Sequence, residues 1–267
     1  MEKYKKEIVD YSYAIGRKIS EIYVKRKWHP IIINAEAIPQ NGPLILCGNH
    51  LHKHDQFPVM CATKRTIHWM AKDEYFKDKK SAPVMRMMGC IRVEREKGKI
   101  DTSKEIAMDY LRKGSAVGIF PEGTRNVYQI ALKKLVNNEQ SINALIKEKN
   151  ITEEYKQKLA VLEHQHTQYL KELEEAKQTI ISKGNNVVED ELLLPFKFGA
   201  ISMAEHTGAQ IVPFAVTGDY TENNDNLMVR FGEAYHLKTN NYHQENEELR
   251  ERIKSLLIQN YKEKGYR

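Results

Sequence analysis

Cysteine is scarce in this chain, and long apolar runs are missing. The 267 residues include three cysteines, Cys47, Cys61 and Cys90, an odd number without a C-x-x-C pair. Such a set builds neither a disulfide framework nor a zinc knuckle, and it points to a reducing, cytoplasmic compartment. No apolar run approaches the roughly 20 residues that a membrane-spanning helix needs. The amino terminus, Met1-Glu2-Lys3-Tyr4-Lys5-Lys6, opens a mixed polar segment instead of the apolar stretch of a signal peptide. Hydrophobic residues make up 41% and charged residues 29%, which excludes a fibre or a disordered chain. The length allows one large domain or two small ones, with core enough to need no covalent staple. The formal net charge of +6 is a mild excess. It suits an anionic partner, whether a membrane surface, a phosphate ester or a nucleic acid.

Residues 1–28 carry Tyr4, Ile8, Tyr11, Ile15, Ile19 and Ile22 at spacings of three and four, which puts them on one face of a helix. Lys25, Arg26, Lys27 and Trp28 end it, and Pro30 stops it. The stripe fits either of two roles. It can pack on the core, or it can lie in a membrane interface with its aromatics at headgroup depth.

Short apolar runs follow at 31–34, 44–47, 67–70, 90–93, 116–120, 211–216 and 227–231, with helical patterns between several of them. Alternating strand and helix signals predict an α/β fold: a mostly parallel sheet flanked by helices. Thr102 and Glu105 have capping-box spacing ahead of one helix, which Gly114 can close. Residues 199–206 read as a shorter helix ending at Gly208. A last helix has Leu249, Ile253, Leu256 and Tyr261 on one face.

Residues 127–190 break this rhythm. Asn150 and Glu153 can start a helix in which Tyr155, Leu159, Leu162, His166, Tyr169, Leu173, Ala176 and Ile180 alternate by four and three. That is coiled-coil spacing over about three heptads. Leu132, Leu135, Ile142 and Ile146 fit a shorter partner helix whose middle is weakened by Asn137 and Asn138, and Gly184, Asn185 and Asn186 mark the return. The expected organisation is an amphipathic helix at 1–28, an α/β domain from 29–126 and 191–267, and an inserted helical hairpin at 127–190.

Two loops carry candidate chemistry. The run at 44–47 leads into Gly48-Asn49-His50-Leu51-His52-Lys53-His54-Asp55, and Asp55 stands near the start of a helix. His50 would then sit at the carboxyl end of a strand, where open α/β sheets hold ligands. A carboxylate five residues on can fix one ring nitrogen and leave the other to take a proton from a hydroxyl. His50, His52 and His54 also allow a metal-ligand reading, as in hydrolases with H-x-H loops, although the order H-x-H-x-D-H is not met. For His52 and His54 the simpler reading is exposed loop residues. The second loop is Phe120-Pro121-Glu122-Gly123-Thr124-Arg125, again after a strand. There Gly123 admits a ligand to the backbone and Arg125 can grip a phosphate. Arg95, ending Gly89-Cys90-Ile91-Arg92-Val93-Glu94-Arg95, is a further candidate phosphate ligand.

His50 with Asp55, Val93-Glu94-Arg95, Phe120-Pro121-Glu122-Gly123-Thr124-Arg125 and Val212-Pro213-Phe214-Ala215-Val216 occur in the order of the four motifs of the glycerolipid acyltransferases. The chain resembles most the 1-acyl-sn-glycerol-3-phosphate acyltransferases, over about 30–126 and 191–235. Met70-Ala71-Lys72-Asp73-Glu74-Tyr75-Phe76 and Leu194-Pro195-Phe196-Lys197-Phe198-Gly199-Ala200 add to the likeness. Arg92 and the insertion at 127–190 depart from the usual pattern.

The resemblance implies acyl transfer from acyl-CoA or acyl carrier protein to the sn-2 hydroxyl of lysophosphatidic acid, giving phosphatidic acid. His50 would be the general base and Asp55 its orienting partner. Lys72, Arg95, Gly123, Thr124, Arg125 and Lys197 would bind substrate, and Glu122 would hold its loop or bind the acceptor glycerol. Backbone groups near Gly123 would face the oxyanion, and a buried Cys47 would take no part. The reaction would need no metal and no resident cofactor. Its partners would be the two substrates and the cytoplasmic face of the cell membrane, held peripherally. Nucleic acid would have no part. The heptad seam of the insertion, apart from the resemblance, predicts a hairpin closed on itself or paired with a second copy of the chain, as a lid, a dimer contact or a docking arm.

Overall fold

The computed structural model describes residues 2–94, 102–147, 152–182, 192–220 and 226–263, with side chains from Asp10 onward. The chain forms two compact units, one of Met1–Thr124 with Phe196–Arg267 and one of Arg125–Pro195.

The first unit is built on a seven-stranded sheet. Its strands are β1 (Ile31–Ile33), β2 (Leu44–Gly48), β3 (Ile67–Lys72), β4 (Ile91–Val93), β5 (Ala116–Ile119), β6 (Gln210–Thr217) and β7 (Met228–Phe231). Every apolar run read as a strand is one, with its ends moved by one or two residues. The spatial order is β1-β7-β6-β2-β5-β3-β4. Neighbours are parallel except β6 and β7, which are antiparallel. The expected α/β fold with a mostly parallel sheet is the one found.

Helices α1 (Glu2–Lys27), α2 (Gln56–Ala62), α3 (Glu74–Lys77), α4 (Ser81–Met87) and α5 (Ser103–Arg112) belong to this unit. Helices α6 (Val127–Lys147) and α7 (Glu153–Ser182) form the second unit, and α8 (Gly199–Thr207) and α9 (Tyr242–Glu263) return to the first. Side chains alternate across a strand. Leu44 and Leu46 of β2, with Val212, Phe214 and Val216 of β6, therefore share one face. They pack there with Tyr13, Val24 and Trp28 of the amino-terminal segment and with Val59 and Met60 of α2. Ile45, Cys47, Ile211 and Ala215 point to the other face, and all are fully buried. A central strand covered on both faces is apolar throughout, which is why β2 showed no alternation in sequence.

At its carboxyl end β2 tolerates no side chain. Gly48 pairs with Phe214 of β6, and a Cβ on Gly48 would stand inside the van der Waals radius of the Phe214 ring. That ring is fully buried and wedged beside Trp69, Phe120 and Phe231, so it cannot withdraw.

Helix α1 packs by a different face from the one its periodicity suggested. Tyr13, Gly16, Val24 and Trp28 turn inward. Tyr11, Ile15, Ile19 and Ile22 turn outward and are 73%, 47%, 64% and 51% exposed. At 100° per residue, Tyr11 and Tyr13 are roughly 200° apart on the helix. The stripe therefore does not pack on the core. Tyr4 and Ile8 lie outside the described side chains. The outward patch continues onto α4, where Val84 and Met87 are exposed and Met87 O accepts a 2.9 Å bond from Ser12 Oγ. Among the described residues no helix is long and apolar enough to cross a membrane.

Two caps differ from expectation. Thr102 precedes α5, but its side chain makes no capping bond. Asn150 lies outside the described residues, and Thr152 Oγ1 accepts the α7 bond instead, from Tyr155 N at 3.1 Å. Gly114 and Gly208 close α5 and α8 in the left-handed region.

In the second unit α6 and α7 run antiparallel. Lys134 meets Glu172, and Asn138 Nδ2 donates to Leu162 O at 3.1 Å. The α7 positions at four-three spacing are the half-buried and buried ones, and Ala176 and Ile180 are the deepest. The α6 face runs through Tyr128, Ala131, Leu135, Asn138 and Leu145, whereas Ile146 is exposed. Asn138 is thus part of the contact. The turn glycine and asparagines at 184–186 lie outside the described residues.

Gly48→Ala is expected to destabilise the fold by about 1–3 kcal/mol through overpacking against Phe214. A urea midpoint equal to that of the wild type would contradict this account of β2.

Candidate active site

The site is put together at the carboxyl ends of three adjacent parallel strands. β2 lies between β6 and β5, and Cys47 stands opposite Ile119 on one side and Pro213 on the other. The loops leaving β2, β5 and β6 therefore meet, although they are far apart in sequence.

Asn49 is the first residue past β2 and is buried. Its Nδ2 donates to Val216 O at 2.9 Å and its Oδ1 accepts from Val216 N at 2.8 Å. The side-chain amide prolongs the pairing with β6 by one more step and fixes where the next residue points. That residue is His50. Its backbone N donates to Glu122 Oε1 at 2.9 Å, which ties the β2 loop to the β5 loop. Its ring stacks on Phe120, with centroids 4.1 Å apart and planes 12° from parallel. Its Nδ1 is 2.9 Å from Asp55 Oδ2.

Asp55 precedes α2 but does not cap it. Its carboxylate turns back into the loop, where Oδ2 also accepts from Leu51 N and His52 N, each at 2.7 Å. Oδ1 accepts from the Tyr220 hydroxyl at 2.6 Å. The side chain is fully buried and His50 keeps about a fifth of its own exposed. The pair therefore has one ring nitrogen anchored to a carboxylate and an imidazole edge open to solvent. That arrangement suits a general base.

The other two histidines are not exposed loop residues. His52 stacks on Tyr220 and His54 stacks on Trp28, and both are half-buried. Burial pushes the His54 pKa down to about 4, helped by the charges of His52 and Lys53. Among the described residues no three His, Cys, Asp or Glu side chains are grouped to hold a metal ion. The three-histidine hydrolase reading therefore finds no support.

On the β5 loop Glu122 is buried, 1% exposed. Gly123 has φ +67°, and a Cβ there would come within 2.9 Å of Lys197 Cε. Lys197 lies over this glycine, and its N donates to Pro121 O at 2.9 Å. Gly123 N donates to Phe120 O at 3.0 Å, so this amide is taken up by the turn and is not a donor for an oxyanion. Thr124 is half-buried and closes this stretch of the first unit; Arg125 is exposed and opens the second. Lys72 ends β3, on the far side of β5 from β2. Arg95 lies outside the described residues. Arg92, the unexpected residue of that motif, pairs with Asp73 and Glu94. The Lys77 ammonium, ahead of Arg92, holds the Asp73 carboxyl below its usual range.

Four residues of the arrangement escaped the reading of the sequence: Asn49, Phe120 as the ring beneath His50, Tyr220, and Trp28 beside it. Asn49 adjoins His50 and was open to notice. Tyr220 carries no local signal, because its partner is 165 residues away.

Residues 29–217 fit the family model described as Acyltransferase, and the chain belongs to that family. A 1-acyl-sn-glycerol-3-phosphate acyltransferase of Borreliella burgdorferi (strain ATCC 35210 / DSM 4680 / CIP 102532 / B31) is 31% identical over 97 residues. That match takes in 36% of this chain and spans 39% of the Borreliella protein. The crystal structure of the 1-acyl-sn-glycerophosphate (LPA) acyltransferase PlsC from Thermotoga maritima superposes with a TM-score of 0.54 at 16% identity. It covers all of this chain and 83% of PlsC, a likeness of fold.

Burial pushes the Cys61 thiol up to about 11 and the Cys90 thiol to about 12. Cys47, fully buried beside the Glu122 charge, is raised further. A raised pKa leaves a thiol protonated and unreactive at pH 8. Ellman's reagent at pH 8 should modify the native chain slowly and titrate three thiols once urea unfolds it. Prompt reaction of one native thiol would show a thiolate that this geometry does not provide.

Proposed function

We propose that this chain transfers an acyl group from acyl-CoA or acyl carrier protein to the sn-2 hydroxyl of 1-acylglycerol-3-phosphate, giving phosphatidic acid. The observation that carries the reading is the 2.9 Å bond from His50 Nδ1 to Asp55 Oδ2, past a central strand in a chain of the acyltransferase family. The name of the Borreliella relative supports the choice of acceptor.

With Nδ1 anchored, His50 Nε2 takes the proton of the acceptor hydroxyl as that oxygen attacks the thioester carbonyl. Asp55 stabilises the imidazolium. The tetrahedral intermediate collapses, the C–S bond breaks and the imidazolium returns its proton to the departing thiolate. No acyl-enzyme forms, consistent with cysteines held as thiols. No resident cofactor enters, and the thioester is a co-substrate. Glu122 acts by holding His50 N. Lys197 over Gly123 offers a cation for the acceptor phosphate, while Lys72, Arg95 and Arg125 are given that role, and Thr124 a place in the substrate site, by motif alone.

The reading is tested by thiol release from acyl-CoA and acyl carrier protein against a panel of lysophospholipids and glycerol phosphate. General base catalysis contributes roughly 10²–10⁴-fold. His50→Ala should lose about that much with its fold intact, and Asp55→Asn should be severely impaired. Full turnover by a folded His50→Ala chain would sink the mechanism. A preference for glycerol phosphate or another lysophospholipid would reassign the acceptor.

A peripheral seat on the cytoplasmic face of the membrane is the second part of the reading. It is supported by the outward face of α1, where Tyr11, Ile15, Ile19, Ile22 and Tyr23 are exposed beside Lys18, Lys25 and Arg26. Apolar side chains rimmed by cations suit the headgroup zone of an anionic bilayer. Removing the helix is not a clean test, because Tyr13 and Val24 belong to the core. Replacing Tyr11, Ile15 and Ile19 together by serine should abolish sedimentation with anionic liposomes and leave the thermal midpoint near that of the wild type. Unchanged sedimentation would reject the seat.

A further inference from the structure

The four bonds to Asp55 are shared unequally between its oxygens. Oδ2 receives His50 Nδ1, Leu51 N and His52 N. Oδ1 receives the Tyr220 hydroxyl at 2.6 Å. The three donors on Oδ2 belong to the same loop as Asp55 itself and would follow any tilt of the carboxylate. Tyr220 lies 165 residues further along, just past β6, and holds Asp55 to a different part of the sheet.

The ring of Tyr220 is itself held. It stacks on His52 with centroids 4.3 Å apart. Trp28 stands edge-on to it at 4.9 Å and 88°, and His54 lies at 5.9 Å. Trp28 is 2% exposed and stacks on His54 at 5.2 Å. Burial first, and then the charge of Asp55, raise the phenol pKa well above its ordinary value. The hydroxyl therefore remains a donor through the neutral range.

We propose that Tyr220 is a positioning residue of the catalytic pair, pinning Oδ1 so that Oδ2 stays aimed at His50 Nδ1, with Trp28 as the buttress of its ring. The inference rests on His50 being the general base. Its effect belongs to the transition state, because the imidazolium that Asp55 supports exists only while the proton is on His50. Loss of the hydroxyl therefore lowers kcat and leaves substrate binding alone.

The test is steady-state kinetics of the full chain with a long-chain acyl-CoA and 1-acylglycerol-3-phosphate, for wild type, Tyr220→Phe, Trp28→Phe and His50→Ala. Tyr220→Phe keeps the ring and removes only the donor. Its kcat should fall roughly ten- to hundred-fold, the range of a bond to a buried charge, with both KM values unchanged. Trp28→Phe should give a smaller fall of the same kind, and it decides the matter if Tyr220→Phe does not fold. A kcat within two-fold of wild type overturns the proposal. So does a fall in kcat with both KM values raised and a lowered thermal midpoint, which is the pattern of a structural role. An inactive His50→Ala beside a normal Tyr220→Phe sinks this proposal alone, whereas a fully active His50→Ala sinks the general-base reading and this proposal with it. If the wild type does not turn over these substrates, the downfield proton NMR signal of His50 Nδ1–H decides. It should be sharp in wild type and shifted or lost in Tyr220→Phe, and an unchanged signal overturns the positioning role.

Discussion

A carboxylate kept from water has to find its donors in the protein, because an unpaired buried charge costs several kcal/mol or more. Asp55 has no exposed surface, and its requirement organises the site around it. Two backbone amides curl the loop after β2 into a ring about Oδ2, and the same oxygen fixes the His50 ring. Oδ1 reaches across to Tyr220 and so fastens the loop after β6. Glu122, also buried, repeats the device from the β5 side by taking His50 N. Two buried carboxylates thus bind three loops together, and the His50 imidazole lies where their demands meet.

This placement depends on strand order. β2 has β6 and β5 as its parallel neighbours, so three carboxyl ends lie side by side. The contact of Gly48 with the Phe214 ring lets the sheet stay closely packed up to the last residue before the loop. Asn49 then carries the pairing with β6 one step further by its side chain. Rigid backbone thus extends up to His50, which suits a base that must meet a hydroxyl within hydrogen-bond reach.

Helix α1 joins this arrangement to the outer surface of the first unit. One face ends in Trp28, which touches Tyr220 and His54. The other presents tyrosine and isoleucine to solvent. The inward face is the less apolar of the two in composition, since Tyr13, Gly16, Val24 and Trp28 are interleaved with Arg17, Ser20 and Glu21. Periodicity picked out the outward face because it measures apolar content, and apolar content does not say which side meets the sheet.

The strands, the α/β class, the helices other than α3 and α4, and the His50–Asp55 pair were legible in the sequence, because each rests on local spacing. Apolar runs of four to six residues make strands wherever they pack, and an imidazole five residues from a carboxylate can close a loop on itself. The four-three pattern over α7 likewise marked the side that faces α6. The roles of Phe120 and Tyr220, the partner that Glu122 holds, the direction in which α1 packs, and the burial of His52 and His54 were not legible. Each is a relation between segments at least 26 residues apart, and most of those distances close through the order in which the strands lie in the sheet. The sequence by itself determined which imidazole and carboxylate can pair. Tertiary structure decided which groups hold that pair in place, because a hydrogen bond from Tyr220 to Asp55 exists only once β6 lies beside β2.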